Sequence, residues 1–177
     1  NVDDLTQADG FKISSDWNAS MAAGDLNGDG VLDLVLADQS DNSYTGVVSV
    51  VFGNQGPWPE LLTEQSLLDD INASYGVVFL GDESSTYFGS KVAVMKDTNG
   101  DDRDELVISK YLISNDNNDP PENNRKGQVF KISGAASWEA SPDYKALTQE
   151  WFQGESDEKN ISGGMIAGGD FNGDGQQ

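Results

Sequence analysis

Asp25, Asn27, Asp29 and Asp33 stand at positions 1, 3, 5 and 9 of the stretch DLNGDGVLD, which separates two short apolar runs. Side-chain oxygens at alternating positions can converge on one point while the backbone wraps around it. Gly30, at position 6, permits the sharp turn that this needs, and the carbonyl of Val31, at position 7, can add a further oxygen. An all-oxygen set of this size is the ligand plan of a hard cation, and suits Ca²⁺ better than the smaller Mg²⁺. Without a cation, carboxylates held so close would repel one another and raise their own pKa values. Solvated turns use the same residue types, so one such loop by itself leaves both readings open.

The pattern returns twice. Asp97, Asn99, Asp101 and Glu105 fill positions 1, 3, 5 and 9 of a second loop, with the carbonyl of Arg103 at position 7. Asp102 replaces the glycine at position 6, and aspartate is among the few residues that tolerate a left-handed conformation. In a third loop Asp170, Asn172 and Asp174 take positions 1, 3 and 5, followed by Gly175 and by Gln176 at position 7. Its ninth position would lie beyond Gln177. None of this is an EF-hand, which needs a bidentate glutamate at position 12 and flanking helices. Position 12 of the first loop is Leu36, inside the apolar run VLDLVLA, which reads as a largely buried strand. The loops therefore join strand to strand.

The elements that must position these loops repeat with them. Asp97 follows Asp25 by 72 positions and Asp170 follows Asp97 by 73, a near-constant period that signals a repeat architecture. After each complete loop comes a strand (LDLVLA, ELVISKY), a polar excursion, and a second strand opened by glycine (GVVSVVFGN, GQVFKISG). A longer connection leads to a further strand (YGVVFLGDE, QEWFQGE), with DGFKISSD as its counterpart near the start of the chain. A short strand then enters the next loop (SMAAGD, KVAVMKD, GMIAGGD). The expected fold is all-β: four-stranded antiparallel blades of a β-propeller, each with its cation loop between the first two strands. The expected divisions are residues 1–18 as the last strand of a preceding blade, 19–88 and 89–160 as two blades, and 161–177 as the start of another. Propellers close with about 4–8 blades, so the expectation is a partial ring completed by a longer chain or by other chains.

The segment YFGSKVAVMKDTNGDDRDELVISKYLIS, continuing to GQVFKISG, resembles an FG-GAP repeat, the blade unit of integrin α-subunit propellers and their bacterial relatives. Phe88-Gly89 matches the FG element, and the acidic loop matches the family's own calcium loop. Where Gly-Ala-Pro would follow the second strand, this chain has LADQ and SKYL. Trp17-Asn18 and Ile161-Ser162 replace FG in the flanking repeats. The resemblance runs over nearly the whole chain. It implies a propeller that binds Ca²⁺ and serves extracellular recognition or adhesion.

Composition narrows the function further. The chain carries 31 acidic and 10 basic residues, a formal net charge of −21, which argues against a nucleic-acid partner. No apolar run approaches the ~20 residues of a membrane span. With no cysteine there are no disulfides, and calcium can do the stapling instead. Extracellular calcium is abundant enough to fill weak sites, so the expected location is outside the cell or on its surface. The absence of both His and Cys removes the usual general base and the thiolate nucleophile, and the chain is not expected to be an enzyme. The expected partner is a protein or a glycan at a cell surface. Trp58, Trp138 and Trp151 are the side chains that could form sugar platforms, although packing is the commoner use of such residues. Leu61, Leu62, Leu67 and Leu68 have near-helical spacing, and suggest a turn or two of helix over a blade edge.

Overall fold

Short runs of β-branched and small apolar residues favour extended backbone, and they form the strands of this protein. The computed structural model describes residues 12–13, 19–53, 59, 61–70, 72–82, 86–111 and 127–153. Strands β1 (Lys12–Ile13), β2 (Ala19–Gly24), β3 (Asp33–Asp38), β4 (Val47–Val51), β5 (Leu61–Leu62) and β6 (Gly76–Leu80) come first. They are followed by β7 (Lys91–Met95), β8 (Glu105–Tyr111), β9 (Gly127–Ser133) and β10 (Thr148–Gln153). Three helices of one turn or little more intervene: α1 (Asp41–Tyr44), α2 (Glu64–Leu68) and α3 (Tyr144–Leu147).

Two antiparallel sheets of four strands result, ordered β2-β3-β4-β6 and β7-β8-β9-β10. Each begins with a strand that leads into an acidic loop, so the four-stranded blade expected from the sequence is present twice. No closed ring is formed among the described residues. No helix there is long and apolar enough to cross a membrane.

The two sheets stack face to face. Val35, Ala37, Val48, Val50, Val77 and Phe79 of the first meet Val92, Leu106, Ile108, Phe130 and Ile132 of the second in one buried cluster. Phe88 sits in the middle of it, fully buried, with its ring 4.4 Å from that of Tyr144 and 6.4 Å from that of Phe130. Gly89 follows at φ +78°, where a Cβ would come within 2.8 Å of Val48 Cγ2. The Phe-Gly pair thus has a physical role: the phenylalanine fills the seam between blades, and the glycine turns the chain away from it.

A second, smaller cluster lies on the far face of the first sheet. Val47, Val51 and Val78 pack there against Leu62 and Leu67. The leucine-rich segment therefore covers a sheet face rather than an edge, and only part of it is helical. Leu61–Leu62 is strand, paired in parallel with Lys12–Ile13, and α2 follows. Thr63 starts the helix with a capping box: its Oγ1 accepts from the Ser66 N–H at 3.0 Å, and Ser66 Oγ accepts from the Thr63 N–H at 2.8 Å. Lys12–Ile13 stands in this parallel pair and not in either four-stranded sheet.

Candidate metal centres

The two acidic loops fold alike, bond for bond. Asp25 Oδ1 accepts from the N–H groups of Gly28 (2.8 Å) and Asp29 (3.1 Å), and its Oδ2 accepts from Gly30 (2.9 Å). Asp97 does the same with Gly100 (2.7 Å), Asp101 (2.8 Å) and Asp102 (3.2 Å). Asn27 and Asn99 each accept from the N–H two residues on, at 3.0 Å. Asp29 and Asp101 accept from the N–H of Val31 (2.8 Å) and Arg103 (3.0 Å). Each acidic side chain is thereby fixed by backbone of its own loop, and the turns bring the alternate positions round toward one another. Gly30 takes φ +82°, and Asp102, which replaces glycine at the matching position, takes φ +63°. The aspartate accepts the left-handed turn that the loop imposes.

The loops differ at their closing residue. In the second, Asp97, Asp101 and Glu105 each offer a carboxylate oxygen within 4.8 Å of the other two, the one such group of acidic side chains among the described residues. Glu105 is fully buried. Its Oε2 accepts from the Thr98 N–H at 2.7 Å and from the Thr98 hydroxyl, while its Oε1 is buried with no hydrogen-bond partner. A buried carboxylate oxygen without a partner is costly unless a cation meets it. The residues of the second loop therefore fit a hard cation.

In the first loop Asp33, only 1% exposed, uses both oxygens on backbone: Oδ2 accepts from Leu26 (2.8 Å) and Oδ1 from Gly53 (2.9 Å). Burial pushes its carboxyl up to about 6. The two hydrogen bonds pull against that shift, and repulsion from Asp29 and Asp25 adds to it. A positive charge in the loop would relieve both the burial cost and the repulsion.

Strand register explains the different closing residues. The first hairpin pairs Gly24 with Asp33, whereas the second pairs Met95 with Glu105. Counted from Asp25 and Asp97, the second pairing is shifted by one residue, which turns β7 over relative to β2. The longer glutamate reaches back across the larger loop to Thr98. The third loop, Asp170, Asn172, Asp174 and Gln176, lies outside the described residues.

Two contributors carry no signal in the ligand spacing. Thr98 holds Glu105 from position 2, where the first loop has Leu26. Asp104, at position 8, reaches out of its own loop to the first: its Oδ2 accepts from the Asp25 N–H at 2.8 Å. The sheets approach so closely here that a Cβ on Gly24 would lie 2.2 Å from Val94 Cγ1 and 2.7 Å from Asp104 Oδ2. Ala135 N–H closes the same seam on the Leu26 carbonyl at 3.0 Å.

Comparison with known families agrees with this geometry. Residues 17–51 match the family model of the FG-GAP repeat. The match covers the first three strands of the first blade and the whole first loop. No curated protein matches the chain significantly.

Proposed function

We propose that this chain, whose residues 17–51 form an FG-GAP repeat, is a calcium-stabilised binding module that works outside the cell, recognising a partner at a cell surface. In the second loop Asp97, Asn99, Asp101 and Glu105 hold Ca²⁺ together with the carbonyl of Arg103. In the first the set is Asp25, Asn27, Asp29 and Asp33 with the carbonyl of Val31. Asp170, Asn172, Asp174 and Gln176 are assigned the same role on sequence alone.

The observation that carries the metal assignment is the partnerless, fully buried Oε1 of Glu105 beside Asp97 and Asp101. The loops join adjacent strands of one sheet, with no helices to swing apart. Calcium is therefore a structural staple, in a chain that has no cysteine for disulfides. The chain has no histidine and no cysteine, and so lacks the usual general base and the thiolate nucleophile; the module is read as one that recognises and does not catalyse.

Thermal unfolding with and without a chelator tests the staple, since a ligand bound only by the native state raises its melting temperature. Fluorescently labelled protein applied to intact cells tests the recognition role. Saturable surface binding that disappears on calcium removal is the expected result, and binding that is absent or unsaturable would rule the role out.

A further inference from the structure

Beside the first loop, at the seam between the two sheets, lies a hollow of about 250 Å³. Four separate segments line it: Asn27 and Asp29 from the first loop, Phe52 just after β4, Asn72 and Ser74 from the stretch before β6, and Trp138 from the stretch after β9, where Ser137 adjoins it. Hydrogen bonds fix these segments to one another. Ala135 N–H donates to the Leu26 carbonyl (3.0 Å), Phe52 N–H to that of Tyr75 (2.9 Å), and Val78 N–H to that of Ala140 (2.9 Å). Trp138 is set by an edge-to-face contact with Phe79, their centroids 5.8 Å apart at 88°. Ala73, buried in the wall, takes a left-handed φ of +49° in the turn that its N–H closes on the Asp70 carbonyl at 2.7 Å.

We propose that this hollow binds a neutral saccharide unit, a single pyranose ring of a free sugar or of a glycan chain. An aromatic side chain among amide, hydroxyl and carboxylate groups suits a ring with apolar C–H faces and hydroxyls around its edge. Among the described residues the lining contains no lysine or arginine, which disfavours phosphate and other anions. The carboxylate of Asp29 is engaged within its own loop, where Oδ1 accepts from Val31 N–H and Oδ2 from Asn27 Nδ2, and the assigned Ca²⁺ offsets its charge, so it does not select for a cationic organic ligand. Asn72, Ser74 and Ser137 are exposed, so the mouth is open to solvent.

The test is a titration of the intact chain in calcium-containing buffer with methyl glycosides of glucose, galactose, mannose and N-acetylglucosamine. Tryptophan fluorescence and ligand-observed saturation-transfer NMR supply the readouts, with choline and inorganic phosphate as controls. At least one glycoside is expected to bind saturably with a millimolar dissociation constant, and neither control is expected to compete. Asn72→Ala and Ser137→Ala, both at exposed positions, should keep the circular dichroism spectrum and each weaken binding about threefold to tenfold. The proposal fails if no glycoside binds saturably, if choline or phosphate displaces the sugar, or if both variants bind as the parent does.

Discussion

Asp25 and Asp104 clasp each other across the seam between the two sheets. The Asp25 N–H donates to Asp104 Oδ2 at 2.8 Å, and the Asp104 N–H donates to the Asp25 carbonyl at 2.9 Å. Asp25 is the first assigned ligand of one loop, and Asp104 stands between two assigned ligands of the other. Ordering either loop therefore helps to order the other, which is the physical content of a coupling free energy. Asp104→Ala should weaken calcium binding at the first loop by about tenfold, the scale of one charge-assisted hydrogen bond, although Asp104 is no ligand there. Asp104→Asn, which keeps an acceptor, should lose less. Calorimetric titration of both variants checks this, and affinities equal to the parent's would remove the coupling.

Glu105→Gln should separate the two roles of the buried carboxylate. Calcium affinity of the second loop should fall by about tenfold or more, because the closing ligand loses its charge. In chelator the variant should melt a few degrees above the parent, because an unpaired buried charge has been removed. Paired melting curves with calcium and with chelator give both answers. A variant that loses stability equally in both conditions would mean that Glu105 serves packing alone.

A polar clamp on the outer side of the seam should impose a pH dependence. Asp82, just after β6, accepts from Lys110 Nζ (3.1 Å) on β8 and from the Tyr144 hydroxyl (2.7 Å) and Lys145 Nζ on α3. Burial by itself would raise the Asp82 carboxyl, but the bonds from Lys145, Tyr144 and Lys110 overcome it and hold the group well below the usual carboxylate range. A depressed folded-state pKa adds stability above the unfolded value of about 3.9, and that stability is lost as pH falls through the folded value. Asp82→Ala should cost about 3 kcal/mol at neutral pH, since it leaves the buried ammonium of Lys110 without its carboxylate partner, with only the Tyr144 hydroxyl and the Phe130 ring beside it. The difference between variant and parent should shrink below about pH 4. Denaturant melts at both pH values test it, and a gap that stays constant with pH would contradict the assignment.

The acidic loops were legible because cation chemistry dictates both residue type and spacing, and the strands because their runs are short and apolar. The clasp was not legible. Asp104 occupies a position where the first loop has Leu32, so the repeat gave no signal. The clamp joins residues 28 and 62 positions apart, which only the stacking of blades brings together. Leu61 and Leu62 fit a helical spacing, yet pairing with Lys12–Ile13 made them strand, a case of tertiary contact overriding local pattern. The one-residue shift in the second hairpin was hidden too, because both loops keep the same ligand spacing while their pairing differs.

Gly24 should resist any side chain. A Cβ there would lie 2.2 Å from Val94 Cγ1, where the two sheets meet. Gly24→Ala should destabilise by about 1–3 kcal/mol through overpacking, and Gly24→Val by more. Val94→Ala should recover part of the loss in Gly24→Ala, because it removes the clashing methyl groups. A double-mutant cycle in denaturant measures the recovery, and strictly additive effects would mean that the two residues do not meet.

Calcium occupancy of the two described loops is the central claim, and calorimetric titration of the chelator-stripped chain addresses it most directly. The expected isotherm shows saturable uptake of at least two Ca²⁺ per chain. One of these ions should be lost in Asp101→Ala and another in Asp29→Ala, both substitutions leaving the circular dichroism spectrum in calcium intact. A stripped, folded chain that takes up no calcium at millimolar concentration, or that binds as tightly without Asp29 and Asp101, would contradict the account.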